Sequence, residues 1–181
     1  MRLFTAIDIP EDVVEGLRSL LKRLKPLAKL SWSRVENLHI TIKFIGEWPE
    51  ERLDEMKRAL AATPAPFPVE IAVRGLGWFP NERRPRVFWA GIEGGEPLRS
   101  LAHATEQAVA QLGVPVEERP YSPHLTLARI KEAVPLDTLR QALQAMPSEC
   151  GFDFGSFRAS SFFLYLSANG RYTQLARFPI Q

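Results

Sequence analysis

The chain has 181 residues, 45% hydrophobic and 24% charged, with a formal net charge of +2. Those values exclude a largely disordered chain, and a net charge this small permits an anionic ligand without indicating one. Cys150 is the single cysteine, which excludes an internal disulfide, and no apolar run is long enough to span a bilayer. The expectation is a soluble, cytoplasmic monomer with no cofactor, no metal and no membrane contact.

Residues 2–8, RLFTAID, are rich in strand formers and predict a buried strand. The opening MRLFTAIDIPED does not have the layout of a signal peptide. Asp8 is placed to cap a helix running from Pro10 to about Lys25, where Val13, Leu17, Leu20, Leu21 and Leu24 recur at helical spacing. Pro26 ends it. A strand over 37–46 follows, then a helix opened by Pro49 and its acids, with Leu53, Met56 and Leu60 on one stripe. The proline-rich ATPAPFP at 62–68 reads as a loop. Two strands, near 68–76 and 86–92, flank the polar turn PNERRPR.

The second half repeats this order. A helix over 96–113 turns Leu98, Leu101, Thr105, Val109 and Leu112 inward and stops at Gly113. A strand over 123–130 precedes a helix from Pro135 carrying Leu136, Leu139, Leu143 and Met146 inward. Cys150 then reads as a small residue near the start of an extended segment over about 152–166, and SANG joins that segment to another over 171–178. Each half reads helix, strand, helix, strand, strand. The predicted fold is α+β: a single two-lobed domain over 1–181 made of two structural repeats. Each lobe is expected to be an antiparallel sheet with helices on its outer face, with an active-site cleft between the lobes.

Two of the three histidines stand in the same setting, HITIKF at 39–44 and HLTLAR at 124–129, in matching strands of the two halves. Successive side chains of a strand alternate faces, so His39 and Thr41 emerge together, with Lys43 beyond them, and Ile40, Ile42 and Phe44 go to the core. His124 and Thr126 pair likewise above Leu125 and Leu127. His103 and Thr105 have the same spacing but lie in a predicted helix, where two residues span about 200° and the groups diverge, so His103 is set aside as a surface residue. Two imidazoles can serve one phosphodiester as base and acid, and two threonine hydroxyls can donate to its non-bridging oxygens.

These segments resemble the two-histidine phosphoesterases, which carry paired His-x-Thr strands in a duplicated fold. RLFTAIDIP, ENLHITIKFIGE, RVFWAGI, PYSPHLTLAR and the closing YTQLARFPI resemble the branch of RNA 2′,3′-cyclic phosphodiesterases, also called 2′-5′ RNA ligases. The resemblance implies metal-independent hydrolysis of RNA 2′,3′-cyclic phosphate ends to 2′-phosphate, with reversible 2′-5′ RNA ligation open to the same groups. It implies that His39 is the proton donor, His124 the proton acceptor, and Thr41, Thr126 and Arg129 the phosphate ligands. Regular alternation puts Arg129 on the face opposite His124, so that role requires a bulge or the strand's end.

Lys43 either steers anionic substrate or is simply solvated. Phe44, Trp48, Trp78 and Tyr121 are the candidates for stacking on the terminal base; parity sends Phe44 to the core, and Tyr121 is preferred because Pro123 stiffens its approach to the second motif. Arg83, Arg84 and Arg86 either track a nucleic-acid backbone or form an ordinary exposed loop. The partner is RNA or an oligonucleotide with a cyclic phosphate end. The alternative is a nucleotide- or RNA-binding module that uses the same cleft without turnover.

Overall fold

The computed structural model describes residues 1–146 and 152–180, so Cys150 lies outside the described residues. The chain begins with β1 (Arg2–Asp8), buried along its five central residues, and continues into α1 (Glu11–Leu24). The five apolar residues expected on the inner face of α1 are all buried. The cap differs from expectation. Pro10 precedes the helix with no side-chain cap bond, and the Asp8 carboxylate instead accepts the Tyr165 hydroxyl.

A two-residue strand, β2 (Ser31–Trp32), leads to β3 (His39–Glu47), and a 3-10 turn over Glu50–Arg52 opens α2 (Leu53–Ala61). Then come β4 (Val69–Phe79), β5 (Val87–Glu93), α3 (Gly95–Ala110), β6 (His124–Arg129) and α4 (Asp137–Ala145). The extended region expected over 152–166 is two strands, β7 (Asp153–Ala159) and β8 (Ser161–Ala168), followed by β9 (Arg171–Pro179). It breaks at Ser160, whose carbonyl accepts the Ile180 amide, and no glycine or proline marks the break.

The strands form two antiparallel sheets, ordered β3-β1-β8-β9 and β2-β6-β5-β4-β7. Two sheets match the expectation, but each draws on both halves of the chain. The strands after the first histidine strand, β4 and β5, pair beside the second histidine strand; β8 and β9 return to β1. Chain crossings therefore tie the two sheets together. One apolar cluster runs through both, joining Ile40 and Phe162 to Phe88 and Leu125.

The register of β3 departs from regular alternation. Thr41 faces Ala6 and Lys43 faces Thr5 across β1, so Ile42 is an extra residue, a β-bulge that turns Lys43 and Phe44 over before a second extra residue, Ile45, shifts the register again. In consequence Lys43, expected in the cleft, is 7% exposed, and Phe44, expected in the core, is 62% exposed. The Lys43 ammonium lies 2.9 Å from Glu106 Oε1 on α3 and donates to the Pro115 carbonyl at 2.9 Å. Glu106 also accepts the Glu117 amide at 2.8 Å. Lys43 is thus a strut between β3, α3 and the segment approaching the second motif, and no substrate ligand.

Removing one member of a buried ion pair leaves the other desolvated without compensation. Lys43→Met should lower the unfolding free energy by about 3 kcal/mol in urea titrations. Lys43→Met with Glu106→Gln should recover most of that loss, because glutamine keeps the acceptor for Glu117 without a stranded charge. Equal stability of wild type and Lys43→Met would remove the strut.

Candidate active site

The second histidine strand repeats the device of the first. In β6, Trp89 faces Thr126 and Phe88 faces Ala128, so Leu127 is the extra residue. Leu127 and Ala128 are both buried, and Arg129 emerges exposed on the side of His124 and Thr126. The bulge that Arg129 requires is present. By position in the repeat, Ile42 corresponds to Leu127 and Phe44 to Arg129. Ser33 secures the bulged stretch: its amide donates to the Leu127 carbonyl at 2.8 Å and its hydroxyl to the Thr126 carbonyl at 2.9 Å.

Both imidazoles are held in the same way. His39 Nδ1 lies 2.7 Å from the Asn37 carbonyl, and His124 Nδ1 lies 2.9 Å from the Ser122 carbonyl. A carbonyl only accepts, so Nδ1 carries the proton in each ring and Nε2 is left for chemistry. His39 Nε2 is 2.8 Å from the Thr41 hydroxyl, which donates to it when the ring is neutral. Aromatic rings brace each histidine. Phe4 lies 4.9 Å from His39, and Phe79 stands edge-on to His124 at 5.0 Å and 90°.

β3 and β6 approach one another across the two sheets. Burial is the first cause that lowers both histidines below their ordinary value. The Arg129 charge lowers both further, and the His124 charge lowers His39, as expected of groups sharing one space. One influence is unequal. The Asp8 carboxylate, whose residue pairs with His39 across β1 and β3, raises His39 and does not act on His124.

Tyr121 is anchored through its hydroxyl, which donates to the Thr41 carbonyl at 2.8 Å, and burial pushes the phenol well above its usual range. It fastens the approach to the second motif onto the strand of the first. Trp48 is buried with Nε1 donating to the Arg52 carbonyl, and Trp78 packs on Phe88, so both are packing residues. Phe44 is exposed beside the site, with its ring 6.2 Å from Phe4, and Tyr172, also exposed, stands edge-on to His39 at 5.2 Å. His103 is exposed on α3, as expected.

Trp89 is a site neighbour that the sequence reading misses. It sits across from Thr126 and lies against Gly77, where a Cβ would come within 2.2 Å of the indole. Its one signal is ordinary alternation, since Phe88 and Ala90 on either side are buried. Among the described residues, no group of three or more His, Cys, Asp or Glu could hold a metal ion, and no helix is long and apolar enough to cross a membrane. The arrangement can hold a tetrahedral anion between two imidazoles, two hydroxyls and a guanidinium.

The family model of LigT-like phosphoesterases matches residues 7–89 and 92–171, one segment in each half. The RNA 2′,3′-cyclic phosphodiesterase of Methanocaldococcus jannaschii is 35% identical over 167 residues, covering 92% of this chain and 91% of that protein. The RNA 2′,3′-cyclic phosphodiesterase of Thermus thermophilus is 38% identical over 146 residues, covering 75% and 71%. Among solved structures, the Thermus thermophilus protein TT0787 superposes with a TM-score of 0.78 at 33% identity over 99% of this chain and 98% of that one. E. coli LigT complexed with 3′-AMP superposes at 0.75 with 26% identity, over 99% and 97%.

The inequality at Asp8 is measurable. In nitrogen-15 NMR titrations both rings should titrate below the ordinary 6.5 and keep the proton on Nδ1 when neutral. Asp8→Asn should move His39 further down and leave His124 in place. Movement of both rings by the same amount would mean that Asp8 does not distinguish them. Because both folded values lie below 6.5, the unfolded chain takes up protons first as pH falls. Stability should therefore decline on acidification from about pH 6.5.

Proposed function

The chain belongs to the LigT-like phosphoesterase family, and on that premise we propose that it hydrolyses RNA 2′,3′-cyclic phosphate ends to 2′-phosphates. The observation that carries the reading is the matched pair of histidines, each pinned through Nδ1 to the carbonyl two residues earlier. Each ring thereby turns the same nitrogen to one space beside a threonine.

Neutral His124 Nε2 takes a proton from water as the water oxygen bonds to phosphorus. The bond from phosphorus to O3′ breaks, and protonated His39 delivers its Nε2 proton to that oxygen. Thr41, Thr126 and Arg129 hold the non-bridging oxygens, where hydrogen bonds to charge are stronger than neutral ones. His39 is assigned the acid by its place in the first His-x-Thr motif of the family, and the Asp8 charge beside it acts in the same sense. The departing O3′ belongs to the terminal ribose, which puts the nucleoside on the His39 side. There the exposed Phe44 ring is the stacking platform for its base. A 5′-hydroxyl in the place of water gives a 2′-5′ linkage by the same transfers. The reading has the chain act as a cytoplasmic monomer without a metal.

Incubation with an RNA ending in a 2′,3′-cyclic phosphate, with chelator present, should yield only the 2′-phosphate. His39→Ala and His124→Ala should each slow the reaction on the order of 100- to 10,000-fold while the protein stays folded. A plot of kcat/KM against pH should be bell-shaped with its maximum on the acid side of 6.5, because both rings are depressed. Tight binding of the RNA with no product at any pH would instead identify a binding module. Dependence on added metal would overturn the acid–base mechanism.

A further inference from the structure

We propose that the arginine-rich turn between β4 and β5 docks the strand bearing the attacking 5′-hydroxyl in 2′-5′ ligation. The ligand class is a single-stranded oligonucleotide with an unphosphorylated 5′ end. The inference rests on the acid–base assignment above, which gives the cleft a direction. Displacement at phosphorus brings the nucleophile in opposite the leaving oxygen. If the leaving ribose lies on the His39 side, the nucleophile enters on the His124 side, and whatever carries it must extend from there.

What extends from there is the β4–β5 hairpin. Phe79, whose ring stands against His124, pairs with Val87 as the last rung of the ladder, and Val87 pairs in turn with Arg129. The Arg86 amide closes the rung by donating to the Phe79 carbonyl at 2.6 Å, and the Arg86 carbonyl accepts the Ile130 amide at 2.9 Å. The turn thus starts one residue beyond the ring that touches the base histidine and is tied to the end of the arginine-bearing strand.

The turn is also held in shape. The Asn81 carboxamide oxygen accepts the amides of Arg83 and Arg84, each at 3.0 Å. From α4, Arg140 donates to the Glu82 carbonyl and lies over Trp78. Arg83, Arg84 and Arg86 are exposed, and among the described residues none is ion-paired to a carboxylate. Glu82 is the one acid of the turn. Three guanidinium groups on a braced loop beside the entry side suit the phosphates that follow a 5′-terminal nucleoside, and Phe79 offers that nucleoside an aromatic surface.

The test uses a nucleoside 2′,3′-cyclic phosphate as donor, which has no upstream chain to reach the turn, and a 5′-hydroxyl RNA oligonucleotide as acceptor. Wild type is compared with the triple variant Arg83→Ser, Arg84→Ser, Arg86→Ser, and the ligated and hydrolysed products are separated. The variant should hydrolyse donor alone at the wild-type rate but need at least about ten-fold more acceptor for half-maximal ligation. Its salt dependence of acceptor binding should flatten by about 0.7 in logarithmic slope per lost contact, about 2 in all. Arginine-to-lysine replacements at the same positions should keep most of the acceptor affinity. Equal acceptor dependence in both proteins overturns the proposal, as does the absence of ligated product from wild type at saturating acceptor. Slower hydrolysis of the donor alone by the variant also overturns it, placing the arginines at the cyclic phosphate. Failure of the underlying activity is seen separately, as wild type that leaves the donor intact.

Discussion

The site depends on one extra residue in each histidine strand. Strict alternation would put the histidine and threonine on one face and the fifth residue after the histidine on the other. Ile42 and Leu127 each add a position, and the two residues that follow each of them turn over. Two consecutive residues then face inward, Ile42 with Lys43 and Leu127 with Ala128, and the next residue joins the histidine. A bulge costs a rung of the ladder. Here the loss is offset on β6 by Ser33, which takes up the Leu127 and Thr126 carbonyls, and on β3 by the ion pair that anchors Lys43.

The same device in both strands makes the points where the halves differ informative. Histidine matches histidine, threonine matches threonine, and each Nδ1 finds a carbonyl two residues back. The match ends at the re-aimed position, which is Phe44 on one strand and Arg129 on the other. A symmetric site with two arginines would hold a phosphate equally from both sides and give the reaction no direction. One arginine and one aromatic ring make the two sides chemically different, one charged and one apolar. Asp8 adds a further difference, a carboxylate that acts on His39 and not on His124.

Much of this is legible in the sequence. Most of the strands, the four helices, the inward faces of α1 and α3 and the pairing of each histidine with its threonine follow from spacing. Lys43 and Phe44 are misplaced by spacing alone because a bulge leaves no mark on composition; an inserted isoleucine looks like any strand residue. The clue lies in the other repeat. Arg129 needs a bulge to reach the cleft, and carrying that bulge across to β3 exposes Phe44 and buries Lys43. The Tyr121 anchor is hidden for a different reason: its partner, the Thr41 carbonyl, is 80 residues away, and a backbone acceptor has no signature in sequence. The exchange of strands between sheets is equally hidden, since β7 and β8 run together across Ser160 with no breaker between them.

That exchange bears on how the cleft keeps its width. If each half made its own sheet, the two imidazoles would be held by whatever interface formed between two lobes, and small rotations there would separate them. Instead the chain passes from β3 into the sheet of β6 and returns through β8 to pair with β1, so both walls grow from one apolar core. Lys43 reaches from β3 to α3 and to the Pro115 carbonyl, and Tyr121 reaches from just before β6 to Thr41. The last two contacts join the first histidine strand to the polypeptide that leads directly to the second. A pair of acid and base groups on separate strands needs fixed spacing more than it needs any single strong bond, and this topology supplies the spacing through covalent continuity.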